Sequence, residues 1–230
     1  MLLIFDWDGT LADTEYKLSE KVALAASGAG FFIDASSVFQ RFSGLGSSEK
    51  FKAIAAHCDR PIAAETITNL QTQHRSAKAS LYSETTIDDI FSGIAPALAL
   101  LQKKHTLAIC SNGDLVPLTN AVSRTGLTCY FNDAIYTPKS LNVPSKPDPK
   151  MLVHALEHHK KSPVESLMVG DTVADMCASK AAGIPYRFAF ISPHFTGKHG
   201  TDYIENMTQA GATHFFSDYK KLPGMIAGLN

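Results

Sequence analysis

A chain of 230 residues can bury one sizeable core and still carry a smaller second unit. Hydrophobic content of 45% and charged content of 19% exclude long disorder. The formal net charge of -1, from 21 basic and 22 acidic residues, excludes the basic stripe that nucleic acid or an anionic membrane requires.

The first apolar run, Leu2 to Phe5, reads as a parallel strand covered on both faces. It is too short for a signal peptide or a membrane span, and no later apolar run reaches about 18 residues, so the expectation is a cytoplasmic protein with no membrane partner. A helix follows, capped by Asp13 or Thr14, with apolar spacing through Leu18, Val22 and Ala25. As far as Tyr82 the pattern stays helical, at 51–56 and again from Ile62 to Leu70. From about Ile87 helices and strands alternate. The spacing predicts a helix over Pro96 to Lys104, a strand over Thr106 to Cys110, a helix over Leu115 to Arg124 and a short strand over Phe131 to Tyr136. Pro149 to Lys160 reads as a helix with Asp148 as its N-cap, Ser166 to Val169 as a strand, Thr172 to Ala182 as a helix and Tyr186 to Ile191 as a further strand. Such alternation means an α/β fold with a parallel sheet wound on both faces and a helical insert near the start.

Cys58, Cys110, Cys129 and Cys177 have no C-x-x-C spacing, which argues for reduced thiols rather than a zinc knuckle or a disulfide framework. His154, His158 and His159 share one predicted helix. They read as a solvated helix face rather than a metal site.

In parallel α/β sheets, ligands bind beyond the carboxyl ends of the strands. The first strand ends in Asp6-Trp7-Asp8-Gly9-Thr10, and alternation along a strand turns Asp6 and Asp8 to the same side. Gly9 allows a sharp turn and a close approach to the main chain. The strand at 106–110 ends in Ser111-Asn112-Gly113, a hydroxyl with backbone amides at a helix start that suits an anion, although the same residues are common in plain turns. Lys146 stands in a proline-rich segment, Val143-Pro144-Ser145-Lys146-Pro147-Asp148-Pro149, which limits how far its ammonium roams. The strand at 166–169 ends in Gly170-Asp171, with Asp175 one helical turn further on. Four aspartates around one lysine would repel one another and any anion. A divalent cation removes that difficulty, and an all-oxygen donor set favours magnesium.

These four motifs, in this order, resemble the haloacid dehalogenase superfamily, specifically the phosphatases with a helical cap inserted after the first strand, and among them the phosphoglycolate phosphatase group. The resemblance implies a Rossmann-like three-layer α/β/α core at 1–13 and 85–230, with a helical cap domain at 14–84. It implies that Asp6 is a nucleophile forming an aspartyl-phosphate and that Asp8 is the general acid and base. Asp6, the main-chain carbonyl of Asp8 and Asp171 would hold Mg2+, with Asp175, Gly9, Thr10 and Gly170 in support. Ser111, Asn112 and Lys146 would bind the substrate phosphate. An acid at the position of Asp8 separates the chain from true dehalogenases and phosphonate-cleaving relatives, and implies a small phosphate ester as substrate.

Within the insert, the segment Arg41 to Ser48 is expected to be the specificity loop, with Arg41, Phe42, Gly44 and Leu45 as candidate substrate contacts and Tyr16 as another. Hinges are expected near Asp13 to Glu15 and Thr85 to Asp88, so that the cap opens and closes. Two alternatives stay open: a phosphosugar mutase of the β-phosphoglucomutase type, for which a second arginine after Gly46 is not evident, and a non-catalytic phosphate-binding module. The ester itself and the oligomeric state are not legible here.

Overall fold

Leu2–Phe5 forms β1, and all four of its side chains are fully buried in the computed structural model, which describes residues 1–195 and 197–229, the side chain of Lys198 aside. The chain divides into two units, Met1–Asp13 with Thr85–Asn230, and Thr14–Glu84.

The 14–84 unit consists of α1 (Thr14–Gly28), α2 (Ala35–Phe42), α3 (Ser47–His57) and α4 (Ala64–Glu84). Its own core gathers Leu18, Val22, Val38, Phe51, Ile54 and Leu70. Asp34 starts α2 by accepting the Ser37 N–H at 2.8 Å. A buried ion pair, Lys50 Nζ to Glu15 Oε1 at 3.3 Å, joins α3 to α1. The sequence places a loop over 41–48, but Arg41 and Phe42 complete α2, Ser47 and Ser48 open α3, and only 43–46 connect them. Phe42 packs into this core rather than standing out to meet a ligand, while Arg41, Gly44 and Leu45 are exposed.

The other unit resumes with α5 (Ile94–Leu101), β2 (Thr106–Cys110), α6 (Leu115–Arg124), α7 (Thr128–Phe131), β3 (Ile135–Tyr136), α8 (Pro138–Leu141) and α9 (Lys150–His158). It continues through β4 (Ser166–Gly170), α10 (Val173–Ala181), β5 (Tyr186–Phe190), α11 (Gly197–Ala210), β6 (His214–Phe216), a 3₁₀ turn at Tyr219–Lys221 and α12 (Leu222–Ala227). The six strands make one parallel sheet in the order β3-β2-β1-β4-β5-β6. This is an α/β fold with β1 at its centre, and the chain crosses from one side of β1 to the other between β3 and β4. In such sheets the crevice opens at that reversal, beyond the strand ends.

Several boundaries differ from those the pattern predicts. The helix expected over 96–104 begins at Ile94, because Gly93 takes a left-handed conformation (φ 86°) and starts it; Pro96 falls in the first turn, where a missing N–H costs nothing. In place of a strand over 131–136, Phe131 ends the short α7 and packs edge-on to Phe5, 6.1 Å between ring centres, while Asn132 (φ 46°) breaks the chain before a two-residue β3. Asp148 is not the N-cap of α9; Pro149 holds that place, and Asp148 accepts the Lys150 N–H at 2.9 Å. The predicted histidine helix does form, and the rings of His154, His158 and His159 lie 5.8–6.1 Å from that of Tyr136, whose hydroxyl is 3.0 Å from His159 Nε2.

Because β1 is covered on both faces, its side chains are not interchangeable with smaller ones. Ile4→Ala should lower stability by about 3 kcal/mol, the usual scale for emptying an aliphatic side chain's place in a closed core, as read by urea denaturation.

Candidate active site

The strand register brings the motifs together. Phe5 is level with Ile109 of β2 and Val169 of β4, so the residues after these strands emerge side by side. The Asp6 N–H still bonds the Val169 carbonyl at 2.9 Å, and the chain then leaves the sheet. Asp6, Asp8, Asp171, Asp175 and Lys146 are all buried. One carboxylate oxygen each from Asp6, Asp171 and Asp175 lies within 4.8 Å of the others.

Lys146 is the hub. Its Nζ donates to Asp175 Oδ1 at 2.5 Å and to the Cys110 carbonyl at 2.8 Å, and it is 2.9 Å from Asp6 Oδ1. The Asp6 contact is a buried ion pair. Burial pulls the lysine toward its neutral form, but Asp175 and Asp6 together outweigh this and hold its pKa above the ordinary value. Burial pushes the Asp6 carboxyl the other way, up to about 7; Lys146 offsets part of this, and Asp175 and Asp8 add to it.

Asn112 was expected among the phosphate contacts. Its amide is engaged at both ends by Lys146, accepting the backbone N–H at 2.9 Å and donating to the backbone carbonyl at 3.2 Å. The residue therefore pins the lysine's main chain to the end of β2. Ser111 is fully buried; its hydroxyl accepts the Gly113 N–H at 3.1 Å, and its own N–H bonds the Tyr136 carbonyl at 3.1 Å.

Asp175 is likewise committed. Its Oδ2 accepts from the Thr172 N–H at 3.0 Å and the Thr172 hydroxyl at 2.6 Å, closing a capping box at the start of α10, while Oδ1 meets Lys146. Gly170 makes this possible, since a Cβ there would stand 2.5 Å from that of Asp175.

The turn after β1 serves Asp171. Gly9 has φ 74°, and a Cβ there would come within 2.2 Å of Asp171 Oδ2, so the close approach that Gly9 permits is taken by this carboxylate. Thr10 is fully buried and donates to Asp171 Oδ1 at 2.6 Å. Asp8 bridges to Ala12 in the same turn, and its charge is near enough to act on Asp6.

Such a site holds three acidic groups in close contact against one ammonium, all shielded from water. A small anion-activating centre or a divalent cation site fits this arrangement, and hard oxygen donors with no imidazole or thiolate among them suit magnesium. Without a cation, Asp6 is costly. A carboxyl whose pKa is raised on folding binds its proton more tightly in the folded state, so in the metal-free protein the contribution of Asp6 is fully present below about pH 4 and is lost as the pH rises to about 7. Asp6→Asn has no charge to bury. In chelator its melting temperature should exceed that of the unaltered chain at pH 8, with the gap narrowing toward pH 4; equal melting at pH 8 would contradict this.

A family model described as haloacid dehalogenase-like hydrolase matches residues 1–183. Among curated proteins, the chain is 29% identical to the phosphoglycolate phosphatase of Mesorhizobium japonicum over 193 residues, covering 80% of each. It is 25% identical to the 6-phosphogluconate phosphatase of Escherichia coli, covering 84% of this chain and 83% of that one. Among solved structures, a conserved haloacid dehalogenase-like protein of unknown function from Agrobacterium tumefaciens superposes with a TM-score of 0.81 at 26% identity, covering 98% of this chain and 97% of that one. With this match over most of its length and the four motifs gathered at one sheet edge, the chain belongs to the haloacid dehalogenase-like hydrolase family.

Proposed function

We propose that this hydrolase is a magnesium-dependent phosphatase acting on small phosphate monoesters, with phosphoglycolate the first substrate to test. The observation that carries the reading is the buried group of Asp6, Asp171 and Asp175 around Lys146. Similarity to phosphatases of small phosphorylated acids supports the substrate class.

In this reading Asp6 is the nucleophile. Its free oxygen attacks phosphorus as the ester oxygen departs, and the phosphoryl group passes to the carboxylate as an aspartyl-phosphate. Asp8 gives its proton to the departing oxygen and then takes one from the water that attacks phosphorus, which regenerates the Asp6 carboxylate and the protonated Asp8 for the next cycle. That sequence requires Asp8 to be protonated when Asp6 is ionised, so the two groups need different environments. Lys146, together with Ser111, faces the phosphoryl oxygens; Asn112 fixes the lysine's backbone so that its charge is in place before the substrate arrives. Asp6, the Asp8 main-chain carbonyl and Asp171 would hold the ion, since Asp175 is bonded to Lys146 and Thr172. What magnesium supplies when bound is positive charge that offsets the mutual repulsion of carboxylates and phosphate.

The four helices of the 14–84 unit are proposed as the cap, and the exposed Arg41, Gly44 and Leu45 as the residues that choose the ester. No described helix is long and apolar enough to cross a membrane, and the proposed setting is the cytoplasm.

A panel of phosphoglycolate, 6-phosphogluconate and small sugar phosphates, assayed with magnesium and with excess chelator, tests the reading. The expected result is phosphate release only with the metal, falling by at least roughly a thousandfold in Asp6→Asn. Magnesium binding with no phosphate released from any ester would shift the assignment to a phosphosugar mutase.

A further inference from the structure

The Thr10 hydroxyl bonds Asp171 directly, so whatever holds Thr10 also aims that carboxylate. Within its own turn Thr10 is lightly held: its N–H reaches the Trp7 carbonyl at a long 3.3 Å. Its carbonyl has a stronger partner from the far end of the chain, the Tyr219 hydroxyl, which donates to it at 2.6 Å.

Tyr219 opens the 3₁₀ turn after β6, well beyond residue 183, where the family match ends. It is 1% exposed. Its ring lies 4.8 Å from that of Phe190 and 5.1 Å from that of Phe216, and Asp218 steadies the turn by accepting the Lys220 N–H at 2.9 Å. A tyrosine braced in this way has little freedom, so its hydroxyl acts as a fixed post. Any carbonyl would satisfy a buried phenol. Tyr203 illustrates this, donating to the Phe190 carbonyl at the end of β5 at 2.7 Å. Tyr219 instead meets the carbonyl of a residue whose own hydroxyl bonds Asp171. Burial first, and then the charges of Asp171 and Asp6, push its pKa well above the ordinary value, so the phenol stays a donor.

We propose that Tyr219 is a positioning residue for the metal site, holding the Thr10 turn so that Asp171 is aimed before magnesium binds. The proposal rests on the reading of Asp171 as a magnesium ligand. Partners one shell out from a metal commonly change its affinity by about 10-fold to 100-fold. Tyr219 acts one bond further away, through a turn, and a smaller effect is expected.

The test is calorimetric titration of magnesium chloride into the full chain, without substrate, for Tyr219→Phe, Thr10→Val, their combination and Asp171→Asn. The phenylalanine keeps the ring between Phe190 and Phe216 and removes only the hydroxyl. The expected result is affinity lowered about tenfold or more in Asp171→Asn, about tenfold in Thr10→Val and about threefold to tenfold in Tyr219→Phe. Because both act through one turn, the combined variant should lose less than the product of the two single losses. At saturating magnesium, Tyr219→Phe should recover near-original turnover, and its melting temperature in chelator separates any loss of stability from the loss of metal affinity. Unaltered magnesium affinity in Tyr219→Phe would overturn the proposal, whatever its melting temperature. Unaltered affinity in Asp171→Asn would instead overturn the metal reading beneath it, so the two failures are distinguishable.

Discussion

A buried ammonium at the carboxyl edge of a parallel sheet is the constraint on which the rest of this site depends. Lys146 has given up water for one backbone carbonyl and two carboxylates. Buried ion pairs of this kind seldom stabilise a fold relative to apolar packing, and removing one partner leaves an uncompensated charge. Their persistence here is therefore better explained by function than by stability. Each neighbour of the lysine has a settled role. Asn112 fixes its backbone, Asp175 links it to the start of α10, and Asp6 stands against it with a carboxyl that burial makes difficult to ionise. The charge balance falls short by design, since more carboxylates than cations share the site. A divalent cation would move it toward neutrality.

Much of this is legible in the sequence alone. A strand as apolar as Leu2–Phe5 that ends on two aspartates contradicts the cost of burying charge, and the contradiction points to a site. Gly170-Asp171 and Ser111-Asn112-Gly113 gain meaning the same way, by ending strands in a parallel α/β pattern. The partners were not legible. Asn112 looks like a turn former or an anion contact, and only the fold brings it onto a backbone 34 positions away. Gly9 signals close approach but not what approaches, which is Asp171. Tyr219 carries no local signal at all, because its role depends on a bond to Thr10 across 209 positions. The misread strand over 131–136 has the same cause. Phe131 and Ile135 are apolar for different reasons, one as the end of a helix packed on Phe5 and the other as part of a two-residue edge strand.

The 14–84 unit shows where motif reasoning stops. Its helices were legible from apolar spacing, yet half of the stretch that looked like a glycine-rich loop is helix ends, and Phe42 serves packing. In the proposed reading, exposed residues such as Arg41 and Leu45 choose the ester, and nothing in helix-forming patterns encodes that choice.

The central claim is that Asp6 carries the phosphoryl group. The direct measurement is acid quenching of Asp8→Asn during reaction with p-nitrophenyl phosphate, followed by mass spectrometry of the peptide containing residue 6. This ester's leaving group departs without being protonated, so losing the acid should spare the first step, while losing the base should slow attack by water. A phosphoryl group should then accumulate on Asp6. Phosphate released at an undiminished rate with no covalent phosphoryl group, or a phosphoryl group on another residue, would contradict the claim.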